Sequence, residues 1–161
     1  MRNWVAGALA IILGLIVIAF PFLTTMTVSI FAGLLVLMIA IWLFIVGISE
    51  FGINKTSSIL NLILGIIALI FGFGLIINPA LFSFIAGLTL YLAGFFLIVT
   101  GIIALMDGMT RKYAWSGVLG IVLGIIYIIL GAYAFNPVNL GILIGLWLII
   151  TGIFKMFENI E

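Results

Sequence analysis

Charge is missing from three long stretches of this chain: residues 3–49, 56–106 and 113–154, which are 47, 51 and 42 residues long. One helix needs about 20 apolar residues to cross about 30 Å of hydrocarbon. Each stretch therefore fits two crossings and a tight turn, and none fits three, so the count is six spans. A soluble domain carries about 25% charged residues to face water, whereas this chain has 6% and is 68% hydrophobic. Nine charges cannot cover a water-facing globule, and a lipid-facing surface removes the difficulty. The expected fold is all-α: a polytopic membrane helix bundle, one membrane domain over 1–161, with six transmembrane helices. The apolar run behind Met1-Arg2 ends in Phe20-Pro21-Phe22-Leu23. It is longer than the apolar core of a signal peptide, about 7–15 residues, and lacks a small-residue cleavage site, so it reads as a retained first helix.

Prolines place the turns. Pro21 follows Phe20, Asn78 precedes Pro79, and Asn136 precedes Pro137. Proline disfavours helix in the residue before it, and Asn-Pro initiates turns. The helices predicted on this basis run over 4–20, 26–48, 57–77, 82–105, 114–135 and 139–157. Arg2, then Glu50 and Lys55, then Asp107, Arg111 and Lys112, then Lys155, Glu158 and Glu161 lie before, between or after the hairpins, and the hairpin tips carry no charge. With an even number of spans, all nine charged residues fall on one side of the bilayer. Lys and Arg mark the cytoplasmic side, which predicts a multi-pass cell-membrane protein with both termini cytoplasmic. Trp4, Tyr113 and Trp115 adjoin those charges, where interfacial aromatics belong.

The glycines repeat. Gly7, Gly14 and Pro21 are spaced by seven, as are Gly65, Gly72 and Pro79; Gly124 and Gly131 follow the same step, with Pro137 one residue early. In the second helices Gly33, Ala40 and Gly47 match Gly87, Gly94 and Gly101. Gly145 and Gly152 match the last two of these, so the sixth helix reads as missing the first. Ser29 and Ser83 coincide, and Trp42, Phe96 and Trp147 each stand five residues before their repeat's last glycine. Three repeats are expected, over about 1–53, 54–110 and 111–161, entering from the same side and related by an approximate three-fold. That disfavours inverted-repeat transporter architecture. Seven residues turn a helix to within 20° of two full turns, so small residues at that step form a nearly straight groove. A neighbouring helix approaches closely along it, and packing is what joins helices in lipid. Gly120/Gly124 and Gly141/Gly145 add two GxxxG pairs. Glycine as a packing surface is the leading reading of these positions; glycine as a hinge or ligand contact is the other.

The pattern of Gly7, Gly14, Pro21 and Gly47, then Gly65, Gly72, Pro79, Gly94 and Gly101, then Gly124, Gly131, Pro137, Gly145 and Gly152 resembles the short-repeat family of the HdeD-type acid-resistance membrane proteins. The resemblance covers nearly the whole chain. It implies a six-span inner-membrane protein of three hairpins, associated with survival of acid stress and without an assigned enzymatic activity. Ala40 and the displaced Pro137 depart from the pattern, and Val46, Thr100 and Thr151 stand where many members carry a polar or acidic residue.

Chemistry is scarce. Cysteine and histidine are absent, which removes thiol nucleophiles, imidazole bases and nearly all transition-metal sites. No ionisable residue of the Asp, Glu, Lys, Arg or His type falls inside a predicted span, although such a residue is the default functional hypothesis in a membrane protein. No catalytic, cofactor-binding or metal residues are assigned, and the chain reads as a non-enzyme needing no cofactor. Glu50 and Asp107 read as solvated loop charges. Asn61, about one turn into the third helix, reads as interhelical glue or, with Thr89 and the tyrosines Tyr91, Tyr127 and Tyr133, as part of a polar pathway. Thr100 and Thr151 are expected to bond to carbonyls one turn back. Arg111-Lys112 beside Tyr113 and Trp115 could meet anionic headgroups, but they are fewer than the clusters of 4–8 that mark lipid recognition. Carboxylates titrate at about 4 in water, and all four here are expected to face the cytoplasm, so side chains should not read external acidity directly. Two functions follow. The first is a non-catalytic membrane protein of acid-stress resistance or envelope homeostasis, acting through helix packing and contact with lipids, itself or other membrane proteins, and not with nucleic acid. The alternative is a channel or transporter for a small neutral or weakly polar solute.

Overall fold

Six helices and short connections make up the described residues. The structure, a computed structural model, describes residues 2–106 and 111–157, with side chains over 4–106 and 115–157. The helices are α1 (Arg2–Ala19), α2 (Pro21–Ser49), α3 (Lys55–Ile77), α4 (Pro79–Met106), α5 (Arg111–Ala134) and α6 (Pro137–Phe157). Five are long and apolar enough to cross a membrane. The shorter α1, with 18 residues, reaches about 27 Å at about 1.5 Å per residue, just under the hydrocarbon thickness. The chain is a polytopic helical membrane protein.

The predicted starts of α2, α4 and α6 at 26, 82 and 139 need correction, because those helices begin on the prolines themselves. Proline lacks only an N–H that a first-turn residue would leave unpaired, and its fixed φ suits the first helical position. Each connection therefore shrinks to Phe20, to Asn78, or to Phe135-Asn136. Asn78 serves two helices. It holds an extended backbone (φ −129°, ψ 97°) while its N–H donates to Gly74 O and closes α3. Its Oδ1 accepts from the Ala80 N–H at 3.0 Å and opens α4. Asn136 opens α6 likewise, its Oδ1 accepting from the Val138 N–H at 2.9 Å.

Burial is inverted relative to a water-soluble protein. Thr25, Ser29, Ser58 and Ser83 are the largest side chains wholly withdrawn from the surface among the described residues. Phe31, Trp42, Phe96, Trp147 and Phe154 are each more than 60% exposed. Large apolar residues outside and small ones inside suit a solvent as apolar as leucine. No buried side-chain N or O lacks a hydrogen-bond partner among the described residues, as an apolar surround requires.

By contacts the chain divides into two compact units. One comprises Met1–Pro21 with Ser83–Glu161, and the other Phe22–Phe82. The second contains the pair α2·α3. The first contains two pairs, α4·α5 and α1·α6, with lighter contact between α5 and α6.

Candidate functional site

The positions singled out by sequence are the glycines, and the structure gives each a neighbour. In α4·α5 the helices run antiparallel with Gly87 against Gly131, Gly94 against Gly124 and Gly101 against Gly117. A Cβ on Gly94 would stand 2.6 Å from the Gly124 carbonyl oxygen, and one on Gly124 would stand 2.7 Å from that of Gly94. At Gly101 and Gly117 the reciprocal distances are both 2.8 Å, and at Gly87 and Gly131 both 2.9 Å. The obstacles are backbone atoms, which cannot swing aside. Backbone meets backbone at three levels, a seven-residue step apart on each helix, the approach that small residues permit in membranes.

The pair α1·α6 repeats this geometry. A Cβ on Gly14 would lie 2.8 Å from Gly145 O, and one on Gly152 would lie 2.8 Å from Gly7 O. Gly141 rests against the backbone of Pro21. The seam shows which end of α6 is short. Gly145 takes the place of Gly33 and Gly87, since it faces Gly14, seven residues before Pro21, as Gly33 faces Gly72, seven residues before Pro79, and Gly152 takes that of Ala40 and Gly94. The expectation that α6 lacks its first glycine level is thus corrected. The third level falls at residue 159, outside the described residues, and Phe154, not Trp147, is the equivalent of Trp42 and Phe96. The register has to be counted forward from Pro137; counting back from the C-terminal glycine shifts it by one level.

The pair α2·α3 is built differently. Gly33 and Gly72 meet as elsewhere, a Cβ on Gly33 lying 2.7 Å from Gly72 O. Beyond them the seam loosens. Ala40, 1% exposed, stands at the next level of α2. A Cβ on Gly65 would meet no backbone of α2 among its nearest neighbours, only the Phe44 ring at 3.3 Å. At Gly47 the nearest atoms are Leu62 side-chain carbons, with Ser58 O at 3.2 Å. Hydroxyls also join the helices: at this loose end Ser58 Oγ donates to Gly47 O at 2.5 Å, and at the opposite end, past Gly33 and Gly72, Ser29 Oγ donates to Leu75 O at 2.6 Å, both buried.

Beside Ser58 stands a polar cluster. Glu50 follows α2, and its Oε2 accepts from Ser57 Oγ at 2.5 Å and from Asn61 Nδ2 at 3.2 Å. Asn54 caps α3, accepting from the Ser57 N–H at 3.3 Å, a residue type and geometry favoured there. A carboxylate beside the first turn of α3 also faces the positive end of the helix dipole. Glu50 is therefore not the solvated loop charge expected. It is half-buried and carries two side-chain hydrogen bonds. Ser57 and Ser58 take part in this junction, and the sequence reading misses them. A signal for Ser58 exists, since it extends the Gly65, Gly72, Pro79 series backward by seven, as Gly117 extends Gly124 and Gly131.

The other polar candidates have local partners. Asn61 is engaged with Glu50, and the Thr89 hydroxyl donates to Ile85 O on its own helix at 2.8 Å. Thr100 and Thr151 bond to Phe96 O and Trp147 O, one turn back. Tyr91, Tyr127 and Tyr133 are exposed. Gly120 of the GxxxG pair faces Gly101 Cα and Leu97 O at 3.3 Å. Trp4 and Trp115 are exposed at 62% and 69%, and Lys55 and Lys155 are exposed at their helix ends. Asp107, Glu158 and Glu161 lie outside the described residues, as do the side chains of Arg2, Arg111, Lys112 and Tyr113. No group of three or more His, Cys, Asp or Glu able to hold a metal occurs among the described residues.

Compared with known proteins, the chain matches the short repeat of unknown function (DUF308) twice, over residues 5–77 and 63–136. The first match contains both helices of the α2·α3 seam, and the second both glycine rows of α4·α5. No curated protein and no solved structure matches it.

Proposed function

The chain belongs to the family of the short repeat of unknown function, and from that premise we propose that it is a non-catalytic integral membrane protein of the cell envelope, built of three repeats, that acts through helix packing and contact with lipids, copies of itself or other membrane proteins. The carrying observation is where its polar groups go. Ser29, Ser58, Glu50 and Asn61 join α2 to α3, and Thr27, Ser49, Thr89, Thr100 and Thr151 bond to carbonyls of their own helices. The outward faces are large apolar side chains. The bonds between α2 and α3 serve helix association, the chief use of polar side chains between membrane helices, and the bonds within a helix satisfy the remaining hydroxyls on their own carbonyls. Three seams at equivalent positions support the three-repeat reading. The role implied by the HdeD-type resemblance, tolerance of acid stress or maintenance of the envelope, fits such a protein. The distribution of Lys and Arg supports cytoplasmic positions for both termini.

Two measurements test this reading. Accessibility tags at the chain ends and at the Asn78 turn should report opposite sides of the membrane, with the ends cytoplasmic; tags reporting one compartment would refute the topology. Purified protein reconstituted in vesicles should add no saturable flux of small neutral solutes. A substantial saturable flux would replace the proposal with the transport reading.

A further inference from the structure

The three seams share a register, but one is closed by two different means along its length. At Gly33 and Gly72 the α2·α3 pair is fixed by backbone against backbone. Toward Glu50, buried Ala40 stands at the next level and side chains line the seam, Phe44 against Gly65 and Leu62 against Gly47. In α4·α5 the corresponding level has Gly101 and Gly117 in mutual backbone contact. Side-chain contacts can re-form in a new rotamer, whereas carbonyl contacts at glycine cannot. The looser end is also where the side-chain hydrogen bonds near the connection gather. Ser58 bonds to Gly47 O, and Ser57 and Asn61 converge on one carboxylate oxygen of Glu50. The connection itself is short, residues 50–54, and Gly52 within it has open space for 4 Å around the place a Cβ would take.

We infer that Glu50 is the latch of an opening device in the α2·α3 pair. Its side chain holds closed the end of the seam that glycine does not close, and the pair parts there about the fixed contact of Gly33 with Gly72. Two donors, one on each of the first two turns of α3, meet an acceptor carried by the end of α2. Releasing that acceptor frees both at once and leaves Ser58 as the remaining side-chain bond across that end, beside the backbone bonds of Ile53 and Asn54 N–H to Glu50 O in the connection. Opening uncovers the Gly47 carbonyl, the Ser58 hydroxyl and Asn61 as a polar cleft. Lys55, in the first turn of α3, is exposed and is the other charged residue described in this unit. The backbone contact at Gly33 and Gly72 is untouched by the movement.

The chain contains no cysteine, so paired spin labels can be placed without background. Ile48→Cys with Ile59→Cys reports the latch end, and Leu34→Cys with Phe71→Cys reports the fixed end; all four positions are exposed. In the full chain in lipid nanodiscs, Glu50→Ala should abolish most of the dipolar broadening between labels at 48 and 59 and leave that between 34 and 71 unchanged. Ser57→Ala keeps the carboxylate and one donor, so it should reduce the broadening at 48/59 by a smaller fraction; it decides the matter if Glu50→Ala does not yield folded protein. Unchanged broadening at 48/59 would overturn the latch. So would equal loss at both pairs, which would mean general loosening.

Discussion

The pairs α4·α5 and α2·α3 solve one problem in two ways. Both bring antiparallel apolar helices together in a solvent that gives no hydrophobic reward for doing so. In α4·α5, glycine stands on both sides at three levels and the backbones touch. In α2·α3, glycine faces glycine at one level only; Ala40 and Ser58 occupy places that α4 and α5 give to Gly94 and Gly117. The space so opened is bridged by Ser58, Ser57, Asn61 and Glu50. A seam of backbone contacts depends on every missing methyl, while a seam of hydroxyls depends on every donor finding its acceptor. Stability should therefore respond to opposite substitutions in the two pairs.

The largest contrast is expected from adding a single methyl. Gly94→Ala or Gly124→Ala drives a Cβ into a carbonyl oxygen at 2.6 or 2.7 Å, and overpacking of this kind costs about 1–3 kcal/mol. Gly65→Ala, at the equivalent place in α3, meets only the rim of the Phe44 ring at 3.3 Å. The ring can yield, and the loss should stay below about 1 kcal/mol. Equilibrium unfolding in mixed micelles, followed by tryptophan fluorescence, gives both values. Equal losses in the two pairs would dissolve the distinction between them.

A reciprocal exchange sharpens it. Ser58→Ala removes the bond to Gly47 O inside α2·α3 and should cost about 0.6 kcal/mol, the average for hydrogen bonds between membrane helices, and at most about 1.7 kcal/mol. Gly117→Ser puts the same side chain at the equivalent place in α5, where its Cβ would lie 2.8 Å from Gly101 O. It should destabilise by about 1–3 kcal/mol despite the added donor. The same unfolding assay should thus show serine favoured at 58 and rejected at 117.

How much of this can be read from sequence follows from the kind of constraint involved. Spans and turns are legible because a charge in lipid is expensive and a proline ends what precedes it. The residues flanking the prolines then need only a shift of a few positions, since proline opens the next helix. The seven-residue step announces a groove but not its occupant. That Gly14 faces Gly145, far away in sequence, depends on α6 returning to α1. Glu50 reads wrongly from sequence because one carboxylate in a connection is ordinarily solvated. Its role depends on Asn54 starting α3 so that Ser57 and Asn61 rise on the side facing the end of α2.

The connections between pairs should behave independently of the seams. Asn78 accepts the Ala80 N–H to open α4, and Asn78→Ala should cost about 1 kcal/mol, as for other lost N-caps. Combined with Ser58→Ala, the losses should add within about 0.5 kcal/mol, because the two sites share no partner. A clear departure from additivity in the same unfolding series would show that the turn and the hydroxyl seam are coupled.

The smallest effect is expected where the two candidates for a polar pathway differ in the way their pairs differ. Asn61 reaches out of its helix to Glu50, whereas Thr89 turns back to Ile85 O within α4. Thr89→Val keeps the shape and removes a hydroxyl whose acceptor retains its helical partner, one turn back. The stability change should stay within about 0.5 kcal/mol, as for substitutions that break no defined interaction. The variant should also leave the permeability of reconstituted vesicles to small neutral solutes unaltered. Asn61→Leu, by contrast, strips one of two donors from the Glu50 carboxylate and should lose about 1.5–3 kcal/mol, the usual worth of a hydrogen bond to a charged group. If Thr89→Val instead changed solute flux while leaving unfolding untouched, the hydroxyl would be facing a passing molecule, and α4·α5 would line a conduit as well as a seam.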